Sequence, residues 1–122
     1  MALFGQRWEY RIGNSVVFVD NAFNWSGWGQ ERLVVNGESA GSAAGWFGMY
    51  RSFSKAWLTR LGEGELRVAL SSRLRGIACA LTVDGEPFVP EAFWEATWSG
   101  PRGAWPEEDA WAEASVRSWI AR

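Results

Sequence analysis

Two stretches of the chain carry the same turn signal. Leu33-Val34-Val35-Asn36-Gly37-Glu38 and Leu81-Thr82-Val83-Asp84-Gly85-Glu86 both read Leu-x-Val-[Asn/Asp]-Gly-Glu. Asn-Gly and Asp-Gly suit the two-residue hairpin turn that needs positive φ at both central positions, and its twist matches that of paired strands. An antiparallel pair is therefore expected at each place, and the flanking residues supply strands. Trp8, Tyr10 and Ile12 alternate with Arg7, Glu9 and Arg11, and Val16–Val19 is dense in β-branched and aromatic side chains. Leu66, Val68 and Leu70 alternate with Glu65, Arg67 and Ala69, while Ile77, Cys79, Leu81 and Val83 alternate with Ala78, Ala80 and Thr82. Trp94, Ala96 and Trp98 repeat the period-2 pattern, and Phe47, Met49, Phe53 and Trp57 share one parity. This period is that of half-buried strands, and seven or eight of them with turns between predict an all-β protein, an antiparallel sandwich.

The 122 residues fit one domain spanning 1–122. Each half reads as strand, loop, strand, tight turn, strand, and a long insertion rich in small residues, Ser39 to Gly45, separates them. The C-terminus changes period. Pro106 stands where a first helical residue would, Glu107, Glu108 and Asp109 follow, and Trp111, Ala112, Val116, Trp119 and Ile120 share one face at helical spacing. That spacing predicts an α-helix over about 107–121, docked on the sandwich or on a second subunit.

At the paired hairpins the chain resembles the Fas apoptotic inhibitory molecule family. The residues that carry the resemblance are Val35-Asn36-Gly37-Glu38 and Val83-Asp84-Gly85-Glu86, with the aromatic segment Trp46 to Trp57 between them. It covers residues 14 to 90, departs in having Glu after each turn where the family has Lys and in the expected Trp-bearing C-terminal helix, and implies a β-sandwich of two similar halves. It implies no catalytic residue.

Function narrows by subtraction. The chain has no histidine, so a serine or cysteine nucleophile activated by imidazole is excluded. A single cysteine, Cys79, excludes an intrachain disulfide and a thiolate zinc cluster, and its apolar parity makes it inert core. A formal charge of −2 without a basic run gives no footprint for nucleic acid or an anionic membrane surface. Met1 to Gly5 is too short for a secretion signal before Arg7, Glu9 and Arg11 follow, and no run of about 18 apolar residues exists to span a bilayer as a helix. A cytoplasmic protein with a reduced Cys79 is expected. Gly27-x-Gly29 and Gly62-x-Gly64 lack the continuation of a nucleotide loop, and Arg73 and Arg75 flank Leu74 in an ordinary turn. No cofactor or metal site is expected.

Ten tryptophans are too many for one purpose. Asn24-Trp25-Ser26-Gly27-Trp28-Gly29 places two of them in a glycine-rich connection, followed by Gln30, Glu31 and Arg32. An exposed indole there would stack on a sugar ring or a nucleobase, or anchor a partner, whereas the structural alternative is a lid over an open end of the sandwich. Trp25, Trp28, Glu31 and Arg32 are the candidate ligand-binding residues. Glycoside hydrolysis needs paired carboxylates, and no spacing among Glu31, Glu38, Glu63, Glu65, Glu86, Glu91 and Glu95 singles out a pair. The expected function is a non-enzymatic binding module that uses exposed aromatics, for a protein partner or in self-association. The alternatives are a carbohydrate-binding or glycoside-processing protein built on the loop tryptophans, and a structural homo-oligomer.

Overall fold

The computed structural model describes residues 2–46, 54–61, 64–73 and 76–114. Among these, ten strands follow in order: β1 (Ala2–Ile12), β2 (Ser15–Phe23), β3 (Trp28–Val35), β4 (Glu38–Trp46), β5 (Ser54–Leu61), β6 (Gly64–Arg73), β7 (Gly76–Val83), β8 (Glu86–Phe88), β9 (Ala92–Ser99) and β10 (Ala112–Ala114). They form an antiparallel six-stranded sheet, β10-β9-β1-β2-β3-β4, and an antiparallel four-stranded sheet, β5-β6-β7-β8. Each half of the chain is thus a four-stranded meander, and the first is extended on its β1 edge by the two strands that come last.

The shared turn signal has a shared geometry. Asn36 and Gly37 lie at φ 51° and 83°, Asp84 and Gly85 at 50° and 83°. Asn36 N donates to Val16 O at 2.9 Å while Asn36 Oδ1 accepts from Val16 N at 2.9 Å. Asp84 repeats both bonds with Glu65, at 2.9 and 2.8 Å. In each meander the turn between the third and fourth strands is tied by its Asx residue to the start of the second, so the repeat lies in the hydrogen bonds as well as in the letters.

Trp8, Tyr10, Val17, Val19 and Leu33 from the six-stranded sheet and Leu66, Val68, Leu70 and Leu81 from the four-stranded sheet form one buried cluster with Phe93. Tyr10 reaches from one sheet to the other, its hydroxyl 3.4 Å from Cys79 Sγ. Burial pushes the Cys79 thiol up to about 12, so at neutral pH it is protonated and poorly nucleophilic.

Two expectations are corrected. Ser39 to Gly45 is not an insertion but most of edge strand β4, whose pairing with β3 slips at Leu33/Val34 so that Ala40 is the extra residue of a bulge. The C-terminal α-helix does not begin at 107. Glu107 is extended, Glu108–Ala110 make a single 3₁₀ turn, Trp111 is extended again, and Ala112–Ala114 pair with β9. The helical spacing lost because Trp111 gains more by burying its ring against Trp98 and Arg7, and because the strand after it satisfies the open edge of β9. Val116, Trp119 and Ile120 lie outside the described residues, as do Phe47–Phe53, Gly62, Glu63, Leu74 and Arg75.

Candidate functional site

Successive side chains of a strand point to opposite faces, so the registers of β9, β1, β2 and β3 define rows across the six-stranded sheet. On the face toward the shared core, Tyr10, Val17 and Val35 make one row, and Trp8, Val19, Leu33 and Phe93 the next. Two residues further along, the chemistry changes abruptly. Glu95 on β9, Gln6 on β1, Asn21 on β2 and Glu31 on β3 stand side by side. Beyond them Phe4 pairs with Phe23 at the end of the sheet.

This polar row is enclosed. Gln6 is 1% exposed and Asn21 2%, and Glu31 is buried beside them. Gln6 Nε2, Gln6 Oε1 and Asn21 Oδ1 have no hydrogen-bond partner among the described residues, and neither has Trp8 Nε1 in the adjoining row. A buried polar group left unpaired costs about 1–3 kcal/mol, so these atoms are a local cost to stability on this face. Burial also raises the pKa of Glu95 at the row's edge.

The row ends against aromatic rings. Phe4 and Phe23 have centroids 5.8 Å apart, and Trp25 meets both edge-on, at 5.9 and 5.4 Å. Trp25 is nevertheless 79% exposed. Its turn is tightly built: Asn24 Oδ1 accepts from Ser26 N at 3.0 Å and Trp28 N at 3.1 Å, Asn24 N donates to Trp28 O at 3.0 Å, and Gly27 sits at φ 101°. The indole is thus held out on a fixed turn.

The opposite face of the sheet is covered by residues 98–111. Trp98 lies over Gly5, where a Cβ would stand 2.5 Å from its ring, and packs on Trp105 and Trp111 with centroids 6.0 Å away. Gln30 pins the strap: its Nε2 donates to Ala104 O at 2.8 Å, and its Oε1 accepts from Gly103 N and from Trp28 Nε1, both at 2.9 Å. Asp20, fully buried, accepts from Arg7 on one side and Arg32 on the other, each with a 2.7 Å contact. Arg7 lies between the Phe18 and Trp111 rings, 4.1 and 4.5 Å from their centroids, and Arg32 is 4.4 Å from that of Trp105. Glu108 completes the balance of two cations and two anions with a 2.6 Å bond to Arg7 Nη1. That bond, aided by the Arg7 and Arg32 charges, holds its carboxyl below the usual range. Burial works against the Arg7 cation, but the bonds and charges of Asp20 and Glu108 outweigh it and raise its pKa.

No protein-family model, curated protein or solved structure matches the chain.

The four residues singled out from the sequence do not converge. Trp28 and Arg32 belong to the strap-covered face, engaged with Gln30 and with Asp20 and Trp105, whereas Glu31 lies in the polar row on the other side and Trp25 projects beyond its end. Glu31 and Arg32 are neighbours in one strand and so cannot share a face. Sequence reasoning missed Phe4, Gln6, Asn21 and Phe23. The signal was present in the parity, since Gln6 shares that of Trp8 and Asn21 that of Val19, once the strands are extended past the apolar runs.

Proposed function

We propose that this chain is a non-enzymatic binding module of sandwich architecture, whose recognition surface is the aromatic end of the six-stranded sheet, formed by Phe4, Phe23 and Trp25. The observation that carries this reading is the exposure of Trp25 on a turn fixed by Asn24. A large apolar ring held in water on a rigid turn contributes little to the fold and is ready to be desolvated by a partner, which is how tryptophan becomes an anchor at binding surfaces. The core shared by the two sheets supports the sandwich.

Binding without hydrolysis is favoured by the spacing of the acids. Glu95 and Glu31 are separated by the two strands β1 and β2, so their backbones are about 14 Å apart at about 4.8 Å per strand. Carboxyl pairs that cleave glycosides stand about 5–10 Å apart.

Glycan-array binding and sedimentation velocity over a range of concentrations, performed on the wild type and on Trp25→Ala, test the reading. The wild type should bind or self-associate in at least one assay, and the variant should lose that while melting at the same temperature. Identical behaviour of the two proteins, silence of the wild type in both assays, or a variant that unfolds would reject Trp25 as a recognition residue.

A further inference from the structure

We propose that the aromatic end is a surface platform for a neutral polysaccharide chain, one of whose rings stacks on the exposed Trp25 indole. This rests on the binding-module reading and adds the ligand class. Charged residues make up 21% of the chain, yet beyond the polar row the end of the six-stranded sheet has none. Residues 2–5 of β1, 22–30 of the β2–β3 hairpin, 44–46 of β4 and 96–101 of β9 and the loop after it carry no Asp, Glu, Lys or Arg. The uncharged end is about 13 Å deep along β1, at about 3.3 Å per residue. The first charge past it, Arg102, stands 5.7 Å from the Trp28 ring, and the acids nearest to it along β3 and β9, Glu31 and Glu95, stand in the polar row.

This distribution selects a ligand without charge. A nucleic acid or an acidic glycan would bring its anions toward Glu31 and Glu95 with no row of cations to receive them. A specific protein partner needs about 800 Å² on each side. Among the described residues Trp25 is the one largely exposed aromatic ring at this end, with Phe4 and Phe23 half-buried, and an indole offers only about 150–250 Å². One ring without a basic patch is likewise a weak membrane anchor. A pyranose matches what is present: its C–H face covers an indole, its hydroxyls both donate and accept, and it carries no charge. Exposed hydroxyls stand nearby, since Ser26 follows Trp25 in the turn and Thr97 is opposite Phe4 in the β1–β9 register. The turn built on Asn24 already holds the indole, so little freedom is lost on binding. Because Trp25 projects outward, a polymer can cross it along its length and needs no enclosed pocket.

The test is affinity electrophoresis and calorimetric titration of the full chain with soluble β-glucan, xylan, galactomannan and dextran, each at low and high salt. Alginate, a single-stranded oligonucleotide and phosphatidylcholine vesicles are the comparison probes. The variants are Trp25→Ala, Trp25→Phe and, as a control at the other largely exposed apolar residue, Val89→Ala in the β8–β9 connection. At least one neutral polysaccharide should bind the wild type and Val89→Ala equally, and binding should not depend on salt. Trp25→Ala should weaken it at least about tenfold at an unchanged melting temperature, and Trp25→Phe should bind more tightly than Trp25→Ala. The proposal is overturned if no neutral polysaccharide binds, if only the comparison probes bind, or if salt abolishes the binding. It is equally overturned if Trp25→Ala binds as the wild type does or loses its fold, if Trp25→Phe binds no better than Trp25→Ala, or if Val89→Ala loses as much. Self-association in sedimentation velocity that Trp25→Ala abolishes, without polysaccharide binding, would reject the ligand class and leave the Trp25 reading standing. Trp25→Ala behaving as the wild type in every assay would reject both.

Discussion

Asp20 stands directly opposite Arg7 across the β1–β2 ladder and grips it at two points, Oδ1 to Nε at 2.7 Å and Oδ2 to Nη2 at 2.9 Å. The same Oδ2 accepts from Arg32 Nε at 2.7 Å. One enclosed carboxylate therefore bridges two arginines beneath the aromatic strap, and Glu108 supplies the second negative charge. Removing one partner of such a group leaves buried charge without compensation, which costs about 3–5 kcal/mol. Asp20→Asn should lose stability of that order in urea denaturation. A loss under about 1 kcal/mol would mean that water reaches the arginines and that the strap does not seal this face.

At Gly5 the rings of Trp98, from β9, and Trp111, from the strap, lie directly over the sheet. Trp98 Cζ3 and Cη2 would lie 2.5 and 2.6 Å from an added Cβ, and Trp111 Cη2 3.0 Å. Gly5→Ala should therefore destabilise by about 1–3 kcal/mol, the usual cost of overpacking. Trp98→Leu in the same chain should recover part of the loss in a thermal melt. An alanine that is tolerated without the second change would place the indole elsewhere.

Both hairpin turns should respond alike to the same change. With Gly37 and Gly85 each at φ 83°, valine at either position is strained, and each substitution should cost more than about 1 kcal/mol. Among the described residues nothing stands within 4 Å of an added Cβ at these sites, so the expected penalty is conformational and not steric crowding. If either valine variant is as stable as the wild type, the two meanders are not equivalent at their turns.

These elements also show what could be read from the letters. The turns were legible because Asx-Gly acts locally: Asn36 and Asp84 fix positive φ whatever surrounds them. The candidate site was less legible, because burial of a polar residue depends on what covers it. Arg7 and Glu9 alternate with Trp8 and Tyr10 and read as a solvated face, yet residues distant in the chain cover them: Glu108 of the strap bonds Arg7, and Trp94 Nε1 on the neighbouring strand β9 donates to Glu9 Oε1 at 3.0 Å. The acidic run after Pro106 suits a helix start and equally suits a turn that places one carboxylate on Arg7. Local preference could not choose between them, and tertiary contact did.

Glu108 makes the strap sensitive to acid. Its carboxyl is held below the ordinary range by Arg7, so its contribution is present at neutral pH and is lost as pH falls through the lowered native value. The side chain is largely exposed, which limits the effect to under about 1 kcal/mol. Glu108→Gln should be slightly less stable than the wild type at neutral pH, and the two melting temperatures should converge as pH drops below about 4. A difference that persists in strong acid would show that the carboxylate's charge is not what holds Arg7.

The reading of Trp25 as a recognition residue is tested most directly by comparing wild type and Trp25→Ala in glycan-array binding and in sedimentation velocity over a range of concentrations. The expected result is that the wild type binds or self-associates in at least one assay and that the variant loses this at an unchanged melting temperature. Identical behaviour of the two proteins, or silence of the wild type in both assays, would contradict it.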